Sequence, residues 1–99
     1  MALLEDTIRR RAQVVSREMI DGAVLVDMLD DRCFELNRVG GLFWSSLATP
    51  RTIDQICETL LPGLGAPREV LAADLCRLVD DLLRAGLIEL LPIAKPAGP

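Results

Sequence analysis

The sequence predicts an α+β domain, a three-stranded antiparallel sheet followed by three helices, in the order β-β-β-α-α-α with a short strand after the last helix. Three observations predict it. Apolar residues alternate with period two across residues 12–36, then recur every three or four residues. Turn and cap signals (Asp21-Gly22, Asp30-Asp31, Asn37, Pro62-Gly63, Pro67 and Gly86) separate the blocks. At 99 residues, the chain has the length of one domain with one modest core.

Residues 1–11 read as a frayed N-terminal arm, and "AQVVSREM" opens the domain with a short strand. "IDGAVLVDML" reads as the second strand, with Val24, Val26 and Met28 on one face and Leu25 and Leu29 on the other. That pattern predicts a central strand buried on both sides. "RCFEL" is the third, pointing Phe34 and Leu36 one way and Cys33 and Glu35 the other. Asn37 fits the N-cap of the first helix, whose core stripe is read as Leu42, Phe43 and Leu47, with Val39 and Trp44 close by. Gly40-Gly41 weakens that helix and predicts a close approach to a strand.

Thr52 and Gln55 form a capping box for a second helix reaching Leu60 or Leu61. Pro67 suits the first position of the third helix, where Leu71, Leu75, Leu78, Val79 and Leu82 fall on one side and Gly86 provides the stop. "LIELL" can add a last strand. The domain is thus bounded at 12–91, and residues 92–99, "PIAKPAGP", read as a disordered tail.

Composition excludes several classes. Hydrophobic residues make up 51% of the chain but aromatics only 3%, so the core is expected to be mostly Leu, Val and Ile. No run approaches the ~18 apolar residues of a membrane span, because Asp27 interrupts the longest candidate. Glu5 and Asp6 lie where a signal peptide needs apolar sequence, so the expected location is the cytoplasm. A net charge of −4 argues against nucleic acid. The chain has no His, and Cys33, Cys57 and Cys76 are scattered without a CxxC, so neither a metal site nor a cofactor is expected.

The thiols read as packing residues. Asp74, Asp80 and Asp81 tempt as paired carboxylates, yet no nucleophile, base or metal accompanies them, and no catalytic residue is assigned. Asp74 and Asp81 share a shoulder of the third helix with Leu78 between them, either as a solvated face or as the rim of an apolar groove. A sheet beside three helices also permits a winged-helix DNA-binding regulator, the alternative reading. Its recognition helix would have to set Arg68, Arg77 and Arg84 against Glu69, Asp74, Asp80 and Asp81.

"DGAVLVDMLDDRCFELNRVGGLFWSSL", with "PRTIDQICETL" and "PREVLAADLCRLVDDLLRAGLIEL", resembles the PqqD-like proteins over residues 21–90. These are recognition elements for ribosomally made, post-translationally modified peptides, and the stand-alone length is similar to those of lasso-peptide and pyrroloquinoline quinone pathways. The likeness rests on a scattered pattern that includes Gly22, Asp27, Leu36, Asn37, Trp44, Asp74 and Gly86. Two features depart from it: Asp30-Asp31-Arg32 stands where a turn glycine is common, and Ala66 precedes Pro67 where Asp or Ser often caps.

The resemblance implies a winged-helix-like fold and a non-catalytic adaptor. A precursor's leader segment would add as a strand beside Arg32, Cys33, Phe34, Glu35 and Leu36. The facing wall would be Asp74, Leu75, Leu78, Asp81 and Leu82. The implied partners are the precursor peptide and a downstream enzyme, either a leader peptidase or a radical SAM enzyme. Dimerisation through the edge strand is a further reading of the same surface.

Overall fold

The computed structural model describes residues 5–91. Within them the chain runs β1 (Thr7–Arg10), β2 (Val14–Met19), β3 (Gly22–Asp27), β4 (Arg32–Leu36), α1 (Arg38–Ser46), β5 (Arg51–Thr52), α2 (Ile53–Leu64), α3 (Arg68–Ala85) and β6 (Ile88–Leu90). The α+β order expected from the sequence is present, with its strands divided between two sheets. The hairpin-linked strands form one antiparallel sheet in the order β2-β3-β4, and a second has the order β5-β1-β6.

The second sheet corrects the expected arm. Thr7–Arg10 is a strand, paired with Arg51–Thr52 on one side and Ile88–Leu90 on the other. Its Ile8 is completely buried. Nothing local in "TIRR" marks a strand, because its partners lie more than forty and about eighty residues away. The predicted disordered tail, 92–99, lies outside the described residues.

Strand β3 is central, as expected, but fully buried on one face only, with Val24 and Val26 half-buried on the other, and its pattern breaks at the C-terminal end. Ala23, Leu25 and Asp27 are buried, while Met28 and Leu29 are 63% and 75% exposed. The cause is the turn. The Asp27 carboxylate accepts the N–H groups of Leu29 (3.0 Å) and Asp30 (3.3 Å), closing the strand before Met28 and turning both side chains outward. Asp31 completes the turn in the left-handed region, at φ 54°, which Asp tolerates better than most residues.

Helix α1 begins where Asn37 accepts the Gly40 N–H at 2.9 Å. Its buried side is Gly40, Gly41, Phe43, Trp44 and Leu47, so Trp44 lies in the core and Leu42, expected there, is 37% exposed. Contact at Gly41 sets that rotation. A Cβ there would lie 2.8 Å from the Gly22 carbonyl carbon, so the helix rests directly on the β3 backbone. The Arg10 guanidinium lies 4.9 Å from the centre of the Trp44 ring and donates to the Trp44 carbonyl.

The capping box of Thr52 and Gln55 starts α2, which runs past the expected end to Leu64, with Pro62 inside its last turn. Proline's fixed φ is helical, and the one bond it removes lies in an exposed turn. Gly65, at φ 64°, ends the helix. Helix α3 starts one residue after its expected first position, at Arg68, and stops at Gly86. Leu71, Leu75, Val79 and Leu82 join Ile8, Leu25, Phe43, Trp44, Ile53 and Ile56 in one core. No described helix is long and apolar enough to cross a membrane.

Candidate functional site

The sheet β2-β3-β4 ends at β4, whose second edge pairs with no described strand. Register shows which backbone groups that edge presents. The Met28 N–H donates to the Gln13 carbonyl at 3.0 Å, so β3 residues in phase with Met28 bond toward β2. Ala23, Leu25 and Asp27 therefore bond toward β4, where their partners are Leu36, Phe34 and Arg32. That leaves the N–H and C=O groups of Cys33 and Glu35 directed to the open side. Side chains alternate accordingly. Phe34 and Leu36 are half-buried against the core, whereas Cys33 and Glu35 are exposed on the outer face.

Across from the Leu36 end of this edge stands α3. A hollow of about 340 Å³ is lined by Asn37, Val39, Asp74, Arg77, Leu78 and Asp81. Leu78 is half-buried and packs on the core from its outer side. The rim acids are paired along the helix, Asp74 with Arg77 at 3.7 Å and Asp81 with Arg84 at 3.6 Å. Pairs this exposed are worth ~0–1 kcal/mol and exchange readily for a guest's charge.

At the other end Arg32 ties strand to helix. Its guanidinium donates to the Ala85 carbonyl at 2.7 Å, pairs with Asp27 at 3.3 Å and lies 5.2 Å from the Phe34 ring centre. Asp27 is 1% exposed. Burial pushes its carboxyl up, but the two turn amides and Arg32 more than reverse that and hold its pKa below the ordinary value. The β4–α3 spacing is thus fixed at one end by the Arg32–Ala85 hydrogen bond, with Arg32 itself held by the buried Asp27 carboxylate, and open at the other.

The structure brings the sequence-predicted residues together in two ranks. Arg32, Cys33, Phe34, Glu35 and Leu36 form the edge, and Asp74, Leu78 and Asp81 line the facing hollow. Leu75 and Leu82 are 0% and 4% exposed and stand behind Leu78 in the core. Asn37, Val39 and Arg77 line the hollow without having been singled out for it. Asn37 was legible only as a cap, and no sequence period links the start of α1 to α3.

Burial raises the Cys57 and Cys76 thiols above their usual pKa, which disfavours their thiolates. Among the described residues no three potential ligands cluster to hold a metal ion. The basic residues of α3 that a DNA reader would need are engaged with acids: Arg68 with Asp54 and Glu58, Arg77 with Asp74, and Arg84 with Asp81.

A family model described as coenzyme PQQ synthesis protein D (PqqD) matches residues 22–88, the span from the β2–β3 turn to β6. Comparison with curated proteins by sequence returns no match. Two solved structures share the fold. One is TbiB1 in complex with the TbiA(beta) leader peptide, at 25% identity and TM-score 0.76, covering 82% of this chain and 94% of that one. The other is a lasso peptide synthetase B1 complexed with the leader peptide, at 22% identity and TM-score 0.67, covering 86% and 98%.

Proposed function

The chain belongs to the PqqD family, and from that membership we propose that it is a peptide-binding adaptor without catalysis of its own. It captures the leader segment of a ribosomally made precursor by strand addition to β4 and presents the peptide to a separate enzyme that modifies it or removes its leader. The observation that carries this reading is the open edge of β4, facing the Leu78 hollow on a fold similar to TbiB1, which was solved with a leader peptide. A guest strand pairs with Cys33 and Glu35, satisfying four backbone groups otherwise left to water. The guest residues that face inward, beside Phe34 and Leu36, enter the hollow over Leu78 between Asp74 and Asp81. Leu75 and Leu82 support that floor from the core. An affinity between micromolar and nanomolar is expected, about −8 to −12 kcal/mol.

Amide hydrogen exchange tests the reading, with a synthetic leader from a precursor encoded alongside this chain. On binding, the Cys33 and Glu35 amides should slow by about ten-fold or more, while Phe34, already bonded to β3, changes little. The mass of the peptide should be unchanged after prolonged incubation. Unchanged exchange at both edge amides rejects strand addition. A change in peptide mass without a second protein rejects the adaptor.

A further inference from the structure

Strand addition explains the inward face of the guest, but half of its side chains point the other way, onto the outer face of β2-β3-β4. That face has its own order. Cross-strand register aligns Val15, Val26 and Cys33 in one row and Arg17, Val24 and Glu35 in the next. Both rows end at β4, on the two residues whose backbone groups are open. Cys33 and Glu35 are exposed, and the Glu35 carboxylate has no hydrogen-bond or ion-pair partner among the described residues. Arg17, the basic residue of its row, is two strands away, about 9–10 Å by strand spacing, and does not pair with it.

We propose that the outer face selects the guest as well, with Glu35 as a specificity-determining residue. The bound peptide carries Lys or Arg opposite Glu35 and a β-branched residue opposite Cys33. This rests on strand capture at β4 and specifies the peptide it accepts. Directly opposed side chains in an antiparallel pair lie about 4.5–5.5 Å apart at Cβ, so the guest residue opposite Glu35 supplies the cation the row lacks. The residue opposite Cys33 continues the Val15–Val26 row, where β-branched side chains pack best. With the guest antiparallel to β4, as β3 is, its sequence order follows. A basic residue precedes a β-branched one by two positions, and the residue between them faces inward over Phe34.

A phage-displayed library of random ten-residue peptides, selected on the wild-type protein and on Glu35→Lys, tests this. Glu35 is fully on the surface side of an edge strand, so the variant should fold. Wild-type protein should enrich Lys or Arg two positions before Val, Ile or Thr by about two- to five-fold, the worth of one exposed cross-strand ion pair. Selection on Glu35→Lys should move the preference at that position to Asp or Glu and leave the inward positions unchanged. If both proteins enrich the same residues there, or the order is reversed, the outer-face code is overturned while strand capture stands. If no pool is enriched, or the enriched peptides leave exchange at Cys33 and Glu35 unaltered, strand capture fails and the code fails with it.

Discussion

Leu78 is the half-buried member of an apolar stripe whose other members, Leu71, Leu75, Val79 and Leu82, are buried. Within that stripe it is the side chain with apolar surface left to give to a guest. Leu78→Ala should weaken leader binding by about 1 kcal/mol or more, roughly five-fold in Kd by titration calorimetry. Asp81→Asn should cost less, and its effect should shrink as salt rises, because a rim charge acts through a screened field. Leu83→Ala is the control on the opposite shoulder. Lost binding there by a folded protein, with Leu78→Ala silent, would put the groove on the wrong side of the helix. Asp27 makes a prediction of another kind. Its pKa is lowered by folding, so its contribution to stability is complete above the unfolded value of about 3.9 and is lost as pH falls through the lower folded value. Wild-type melting temperature should therefore drop between about pH 5 and pH 2 more steeply than that of Asp27→Asn. Equal slopes would mean that Arg32 and the turn amides do not hold the charge.

Elements joined by tight turns were legible in the sequence, and those joined across distance were not. The β2-β3-β4 sheet, the Asn37 cap, the Thr52–Gln55 box and the Gly86 stop all follow from signals within a few residues of one another. Strand β1 carries no such signal, and its partners β5 and β6 are two and three residues long. A helical period names a stripe but not which flank of it is left uncovered. Hence Leu75, Leu78 and Leu82 were read as one wall with Leu78 between the rim acids, and only packing shows that Leu75 and Leu82 are covered. The Gly40-Gly41 pair shows the opposite case, in which a sequence oddity had one physical cause. Because a Cβ at Gly41 would overlap the Gly22 backbone, Gly41→Ala should destabilise the fold by about 1–3 kcal/mol. That is a fall of about 5 °C or more in melting temperature for a domain this size. Gly63 has open space around it in α2, so Gly63→Ala should match or exceed wild type. If both variants melt alike, the α1–β3 contact is looser than described.

At the scale of the whole molecule, the two sheets differ in how far along the chain their strands must search for one another. Successive hairpins build β2-β3-β4 from contiguous residues, whereas β5-β1-β6 gathers the beginning, middle and end of the described chain. Loop closure makes near pairings quick and far ones slow. The open edge of β4 therefore belongs to the sheet with the lower contact order. The α3 wall is held on its C-terminal side by β6, and so by the closure that comes last. During synthesis, an unpaired strand edge would emerge before the helix that restricts what may lie beside it. The charges that flank it, Glu35 and the Asp30-Asp31 turn, then have a second consequence: they discourage two nascent copies from pairing edge to edge in that interval.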